Sequence, residues 1–157
     1  MLTAELKDIL TPPEKGKLLV VTVGNSLRRD DGVGIYIAKQ IKKCQKNIII
    51  LNADSKPEKI IDQAVQLKPQ KVIIIDGADF GGRAGEIRLI KKADIPNTSL
   101  STHSFSLNIT TGIIEEDTGA KVSFLGIQPG SVQLGEGLSK SVRKAAERII
   151  LCMSSIC

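Results

Sequence analysis

Short runs of aliphatic residues divide the chain and predict buried strands. Residues 18–23, 47–53 and 71–76 are rich in Ile, Leu and Val with little polar interruption. Runs of this kind are typical of strands that are covered on both faces, as in a parallel sheet. Residues 121–129 predict a further strand, whereas 86–90 alternate in the manner of a half-exposed edge strand.

Helical segments alternate with these strands and set the fold class. Helices are predicted over 32–43, 56–67, 104–119 and 138–153. Strands alternating with helices over this length predict a three-layer α/β/α sandwich, with a mostly parallel twisted sheet and one antiparallel edge strand. We expect one domain over residues 1–157, in which 1–17 form an N-terminal extension as a short amphipathic helix or arm.

Composition narrows the function classes. Apolar residues make up 41% of the 157 residues and charged residues 25%, a balance typical of soluble globular proteins. Aromatic residues are only 3% and Trp is absent, which disfavours nucleic-acid binding by base stacking. The net charge of +5 is scattered and forms no basic tail, so we expect no nucleic-acid partner.

The cysteines and the apolar segments indicate a compartment. Cys44, Cys152 and Cys157 are odd in number and form no CxxC motif, so neither a disulfide framework nor a zinc site is expected. No segment reaches the roughly 18 apolar residues of a membrane span. The N-terminus has no apolar core of the signal-peptide type. We therefore expect a cytoplasmic protein that is not inserted in a membrane.

Acidic residues follow two of the predicted strands. The first strand leads into "GNSLRRDDG", which contains Asp30 and Asp31, and the third strand ends at Asp76. In open α/β sheets, ligands bind beyond the carboxyl ends of the strands. The only histidine, His103, precedes a predicted helix. Carboxylates and imidazole suit a divalent transition metal, so Asp31, Asp76 and His103 form a candidate three-ligand site.

Other interpretations of these residues remain open at this point. Asp30 or Asp31 could cap the helix that follows them, since Asp accepts bonds from free N–H groups at a helix start. Asp76 could stabilise a turn with Gly77, and His103 could be an ordinary loop residue.

Two enzyme classes are disfavoured by missing motifs. Neither GxGxxG nor GxxxxGK[ST] occurs, and Asp30 and Asp31 would repel a pyrophosphate, so no nucleotide cofactor is expected. A serine hydrolase is disfavoured because no GxSxG motif occurs.

Four segments in a fixed order carry a family resemblance. They are "VGNSLRRDDGVG", "IIIDGADFGGRAGEIRLI", "STHSFSLN" and "FLGIQP". Together they resemble the maturation endopeptidases of NiFe hydrogenases, in particular the branch that serves formate-hydrogenlyase and related membrane-bound hydrogenases. The resemblance extends from about Leu18 to the C-terminal helix.

The resemblance implies an activity and a partner. Enzymes of this family remove a short C-terminal tail from the hydrogenase large-subunit precursor after nickel has been inserted. The nickel is carried by the substrate, although other divalent metals could occupy the same ligands. The family is grouped with aspartic-type peptidases. A monomer is expected, and the alternative is a nickel-dependent chaperone or scaffold that binds the large subunit without cutting it.

The resemblance also assigns roles to residues of this chain. Asp31, Asp76 and His103 match the residues that contact the metal, and the two aspartates are the candidate catalytic residues. Gly24 and Asn25 would form the turn that presents Asp31. Two further positions are notable: Asp79 matches a recurrent acid that would help shape the cleft, and Asn52 departs from the family, whose members often carry an acid there.

Overall fold

The fold is a five-stranded mixed sheet between two layers of helices. The computed structural model describes residues 1–41, 44, 47–91 and 104–157, and of residues 104–106 it describes only the backbone. This architecture confirms the α/β class expected from the alternation of strands and helices.

Five helices and five strands are found within the described residues. The helices are α1 (Thr3–Leu10), α2 (Val33–Gln40), α3 (Ile61–Leu67), α4 (Ser104–Thr118) and α5 (Lys140–Ile156). The strands are β1 (Leu18–Thr22), β2 (Ile48–Asn52), β3 (Lys71–Gly77), β4 (Ile87–Ile90) and β5 (Lys121–Ile127). Single 3-10 turns at Arg29–Gly32 and Pro57–Ile60 precede α2 and α3. The helix predicted over 56–67 therefore begins as a tighter turn, and a further tight turn precedes the helix predicted over 32–43.

The strand order places β1 and β3 at the centre of the sheet. The order is β2-β1-β3-β5-β4. The first four of these strands are parallel to one another, and β4 pairs antiparallel with β5. The antiparallel edge strand expected from the alternation in residues 86–90 is thus confirmed.

Alternate residues of the central strands serve two separate cores. Leu18 and Val20 of β1 belong to a cluster with side chains of α1, α2 and α5. Leu19 and Val21 belong to a second cluster with side chains of α3 and α4. Because successive side chains of a strand point to opposite faces, a fully apolar β1 supplies both helical layers.

Strand β2 is less buried than its sequence predicts. Only Ile48 of its five residues is buried, and the other four are partly exposed. The cause is its position, because β2 forms one edge of the sheet and has a strand neighbour only in β1. Its apolar run resembles that of β3, so hydrophobicity alone did not distinguish an edge strand from a central one.

The N-terminal helix is part of the core. Leu6 and Leu10 of α1 are 1% and 0% exposed and belong to the same cluster as residues of α5. Lys71, the first residue of β3, donates from Nζ to the carbonyl of Thr11 at 3.1 Å. Partial burial lowers the pKa of this ammonium group. No helix among the described residues is long and apolar enough to cross a membrane.

A disulfide corrects the expectation drawn from the cysteine count. Cys44, which follows α2, is bonded to Cys157 at the end of α5, across 113 residues of sequence. Cys152 remains a free, buried thiol, and burial raises its pKa. An odd number of cysteines still allows one bridge with one cysteine left over. Here the cysteine left over is Cys152, which is buried in the core.

Candidate active site

Two buried aspartates lie where the strand order of the sheet reverses. β1 has β2 as its neighbour on one side and β3 on the other. In open α/β sheets a ligand crevice forms at such a position, beyond the carboxyl ends of the two diverging strands, here β1 and β3. Asp76 is the penultimate residue of β3, and Asp31 lies in the 3-10 turn that follows β1. Asp31 is 2% exposed and Asp76 is 4% exposed. A Cβ atom built on Gly77 would lie 3.8 Å from the Cα atom of Asp31, so the two segments touch.

Glycines allow the turn with Asp31 to approach the strand ends. A Cβ atom on Gly24 would lie 2.3 Å from the carbonyl oxygen of Asp31. A Cβ atom on Gly34 would lie 2.3 Å from the carbonyl oxygen of Val23. Real Cβ atoms do not approach backbone oxygens this closely, so a side chain at either position would push the turn away from β1 and β3.

Asn25 closes the turn by hydrogen bonds at both ends. Its backbone N–H donates to the carbonyl of Asp31 at 2.9 Å, and its side-chain Oδ1 accepts from the N–H of Leu27 at 3.0 Å. The second bond is an Asx turn, for which Asn is well suited. The structure therefore places Gly24 and Asn25 directly against the backbone of Asp31.

Asp30 binds a loop from the other end of the chain. Its carboxylate is fully buried, and three of its four hydrogen bonds are to Oδ2, which accepts from the N–H groups of Gly130 and Ser131 and from the hydroxyl of Ser139. Oδ1 accepts from the N–H of Ser139 at 2.7 Å. Ser139 is the N-cap residue of α5, where a negative charge interacts favourably with the helix dipole.

The two adjacent aspartates therefore occupy different environments. The capping hypothesis is wrong for Asp30, because its carboxylate binds the loop before α5, and the N-cap position of α2 is Gly32. Asp31, in the same turn, lies against the carboxyl end of β3, since its Cα atom would be 3.8 Å from a Cβ atom on Gly77. The pair "DD" thus combines one residue that anchors the turn with one residue at the candidate site.

Gln128 organises the loop that follows Asp76. Its Oε1 accepts from the N–H groups of Phe80 and Gly82, and its Nε2 donates to Oδ1 of Asp79 at 3.0 Å. Asp79 also accepts from the N–H of Gly81 at 3.1 Å. These bonds, first the one from Gln128, lower the pKa of Asp79. Asp79 is exposed, so its contact with Gln128 shapes the loop at the surface.

Asn52 lies at the carboxyl end of β2 and makes local hydrogen bonds. Its Oδ1 accepts from the hydroxyl of Thr22 at 3.2 Å and from the N–H of Asp54 at 3.0 Å. Its Nδ2 donates to Oδ1 of Asp54 at 3.0 Å. The carbonyl of Asp54 in turn accepts from Gly24 N–H, so Asn52 supports the backbone from which the Asp31 turn begins.

The third predicted ligand, His103, lies outside the described residues. Within the described parts of the chain, no group of three His, Cys, Asp or Glu side chains is placed to hold a metal ion. Asp31 and Asp76 are two buried acids whose chain segments touch at the carboxyl ends of β1 and β3. Such a pair can supply oxygen ligands to a divalent cation or can transfer protons to and from a bound substrate.

Sequence reasoning missed two residues that hold the site together. Gln128 lies in the segment "FLGIQP", which was recognised as a motif, but the side chain was given no role. Ser139 lies in "GLSKS", where a serine before an amphipathic helix is a recognisable N-cap signal. That signal predicts the start of α5, and its contact with Asp30 depends on the tertiary fold.

The chain is similar to known proteins over most of its length. The family model described as hydrogenase maturation protease, HycI, matches residues 35–155. The hydrogenase 3 maturation protease of Escherichia coli strain K12 is 34% identical to this chain over 133 residues, which cover 83% of this chain and 85% of that protein.

Solved structures of HycI proteins are similar to this chain in fold. The crystal structure of the NiFe hydrogenase maturation protease HycI from Thermococcus kodakarensis superposes with a TM-score of 0.85 at 30% identity, and 97% of each chain is covered. The solution structure of the endopeptidase HycI from Escherichia coli superposes with a TM-score of 0.77 at 29% identity, covering 88% of this chain and 90% of that one.

Proposed function

Because this chain belongs to the family of hydrogenase maturation proteases and is a peptidase, we propose that it removes the C-terminal tail of a NiFe-hydrogenase large-subunit precursor. The resemblance inferred from the four sequence motifs is thereby confirmed at the level of the family. The tail, the precursor and the dependence on nickel are the parts that we propose. We further propose that the protein acts as a monomer in the cytoplasm.

The observation that carries this proposal is the pair of buried carboxylates at the switch point of the sheet. Asp76 lies in β3 and Asp31 in the turn that follows β1, and that turn is held by tight backbone contacts to Gly24 and Asn25. Burial of two acids at the mouth of the sheet costs free energy, which a site for a cation or a polar substrate explains.

In this proposal, nickel is part of the substrate and is recognised by the enzyme. Asp31, Asp76 and His103 complete its coordination with oxygen and nitrogen ligands, which nickel accepts. A precursor without nickel lacks these contacts and binds less tightly. The enzyme therefore distinguishes loaded from empty precursor by a difference in affinity.

Hydrolysis requires a water molecule to attack the scissile carbonyl carbon and a proton to reach the leaving amine. We propose that one of the two buried aspartates accepts the proton from this water and that the other lies close enough to assist its transfer. The nickel of the precursor would polarise the carbonyl or the water in the same crevice. The aspartate that accepts the proton from the water must be ionised. An Asp→Asn change removes this ionised carboxylate with little change in the shape of the side chain.

The proposal is tested by intact-mass spectrometry of a large-subunit precursor incubated with the protein. The precursor is prepared with and without nickel in its active site. We expect loss of a short C-terminal peptide from the nickel-loaded precursor alone. Equal cutting of both precursors would contradict nickel recognition, and tight binding without any loss of mass would favour the chaperone alternative.

A further inference from the structure

A basic pocket lies on the outer side of the turn that carries Asp31. It has a volume of about 160 Å³ and lies between the 3-10 turn, α2 and the start of α5. Its lining comprises Ser26, Arg29, Gly32, Ile35, Tyr36, Lys39, Gly137, Leu138 and Arg143. Three of these side chains are cationic and none is acidic, so the pocket presents one sign of charge.

The three cations have no acidic partner in the described structure. The ion pairs found there are Lys59–Asp54 and Arg88–Glu86, and neither involves a residue of the pocket. Like charges that converge on one concave surface repel one another and attract anions. An anionic group in the pocket would therefore be stabilised by all three side chains.

Two of the three cations are held in place by their surroundings. Arg29 has a φ of +45°, and its N–H donates to the carbonyl of Gly135 at 2.9 Å. Its guanidinium packs so closely that a Cβ atom on Gly135 would lie 3.1 Å from Nε. The guanidinium of Arg143 lies 5.8 Å from the ring centre of Tyr36, within the range of a cation–π contact. A binding group that is already ordered loses less entropy when a ligand binds.

The two chain segments that contain Leu27 and Leu134, beside the pocket, also expose apolar side chains. Leu27 is 61% exposed and Leu134 is 77% exposed. Their segments are joined by the hydrogen bond from the N–H of Gly135 to the carbonyl of Leu27 at 2.9 Å. Exposed leucines beside a basic pocket fit a protein partner that has an acidic residue next to apolar ones. A free metabolite would not need the leucines.

We propose that this pocket binds a carboxylate side chain of the precursor and so docks it beside the active site. This inference rests on the proposed function for the identity of the partner. Arginine and lysine bind carboxylates by charge-assisted hydrogen bonds, and guanidinium groups match them in geometry. Arg29 precedes Asp31 by two residues, so a partner held at the pocket lies next to the turn that forms the catalytic crevice.

The test compares two charge reversals on the same helix. Arg143 lines the pocket, whereas its neighbour Lys144 is exposed and does not. Association of a labelled precursor is followed by stopped-flow anisotropy in the first second, before the tail is cut. We expect Arg143→Glu to slow association about tenfold at low salt and Lys144→Glu to slow it less than twofold. Lys39→Glu is a second pocket variant, expected to behave like Arg143→Glu.

Three further measurements decide the interpretation. The difference between Arg143→Glu and Lys144→Glu should disappear near 0.5 M salt, because screening weakens charge attraction. Lys144→Glu, which lies outside the pocket, should keep the native turnover number at saturating precursor. Equal association rates in Arg143→Glu and Lys144→Glu would overturn the proposal, whether both rates are native or both are reduced. The thermal unfolding curves of the two variants must be native for this comparison.

Small anions identify the chemistry of the pocket. Phosphate and acetate are added at matched ionic strength, and the melting temperature is measured for the native protein and for Arg143→Glu. Stabilisation by phosphate alone, lost in Arg143→Glu, would show a phosphate site and overturn the carboxylate proposal. Stabilisation by acetate as well as by phosphate, lost in Arg143→Glu, supports it.

The outcomes also separate this inference from the proposed function. Charge-dependent association without loss of the tail would retain the pocket and reject the peptidase assignment for that precursor. Cutting at the native rate by Arg143→Glu, with association equal to that of Lys144→Glu, would reject the pocket and retain the peptidase.

Discussion

The two ends of the sheet are held by different kinds of interaction. At the carboxyl end, buried polar side chains bind the backbone of loops, as Asp30 does with residues 130–139 and Gln128 with residues 80–82. These bonds position the loops that follow the strands. At this end the interactions fix the direction of the functional groups, and each bond depends on its geometry.

At the amino end, apolar packing and a covalent bond dominate. Leu6 and Leu10 of α1 are buried against α5, and the disulfide between Cys44 and Cys157 joins the end of α2 to the end of α5. Neither feature is near the carboxyl ends of β1 and β3. The interactions that contribute most to stability and the residues of the candidate site thus lie at opposite ends of the same sheet. Mutations at the two ends should therefore affect the free energy of unfolding and the rate of cleavage separately.

The largest expected effect is loss of activity without loss of stability. Asp31→Asn and Asp76→Asn remove a carboxylate charge from the crevice and leave the volume almost unchanged. Since a lost general base or metal ligand costs about 10³-fold in rate, we expect cleavage of the nickel-loaded precursor to fall by about that factor. Cleavage is measured by mass spectrometry and folding by circular dichroism. Native rates in both variants would show that the aspartates are not the catalytic residues.

The next effect is a loss of stability at the amino end. Cys44→Ser opens a loop of 113 residues in the unfolded chain, which should lower the free energy of unfolding by about 4 kcal/mol. Activity at 25 °C should be native, because the bond is remote from Asp31. Urea unfolding and precursor cleavage are measured on the same preparation, with Ser154→Ala, at an exposed position of α5, as the control. A loss of activity larger than the loss of folded protein would show that the disulfide also affects the candidate site.

A core truncation tests the same end without the disulfide. Leu10→Ala removes a fully buried side chain from the contact between α1 and the rest of the core. We expect a loss of about 3 kcal/mol in the free energy of unfolding, with native cleavage of the precursor. Leu2, which is 71% exposed, gives the matched control, because Leu2→Ala should cost little.

At the carboxyl end, one substitution should affect both properties. Asp30→Ala leaves the N–H groups of Gly130, Ser131 and Ser139 without their shared acceptor. We expect a loss of about 2 kcal/mol in stability together with slower cleavage, since the same turn carries Asp31. Chemical denaturation and cleavage kinetics are compared with those of Asp62→Ala, an exposed acid of α3. Native cleavage by a destabilised Asp30→Ala would show that the turn keeps its position without the loop.

The smallest effect is a pH dependence at Asp79. Its pKa is lowered in the folded protein, so its contribution to stability is complete above the unfolded pKa and is lost as the pH falls through the folded pKa. The Gln128→Leu variant removes the main cause of the shift, and nuclear magnetic resonance titration of Asp79 should then give a pKa closer to that of a free aspartate. An unchanged titration would assign the shift to another group.

Much of the fold could be predicted because local patterns and tertiary environment agree. The apolar runs of β1 and β3 are buried on both faces as their composition indicates. The rule of strand ends predicts Asp31 and Asp76 at one crevice, and the structure buries both residues. The edge position of β2 could not be predicted, because strand order depends on pairing between distant segments. The 3-10 turn at Arg29–Gly32 was also missed, since its geometry follows from close backbone contacts.

The supporting contacts of the site were beyond sequence reasoning for a related reason. Asp30 and Ser139 are 109 residues apart, and no local pattern links them. A single buried acid next to a helix start has an ordinary local explanation as a cap, and that explanation was wrong here. The disulfide was missed in the same way, because the pairing of Cys44 with Cys157 is set by the docking of α5 beside α2.

The bonds of Asp30 also connect the turn with Asp31 to a segment that is synthesised much later. Its donors lie between Gly130 and Ser139, so a chain emerging from the ribosome exposes Asp30 about 100 residues before its partners are made. Contacts of such long sequence separation form late in folding. Until α5 docks, the turn that carries Asp31 lacks the bonds that the carboxylate of Asp30 makes to the loop before that helix. The final geometry of the crevice therefore depends on a segment that is synthesised about 100 residues after Asp30 itself.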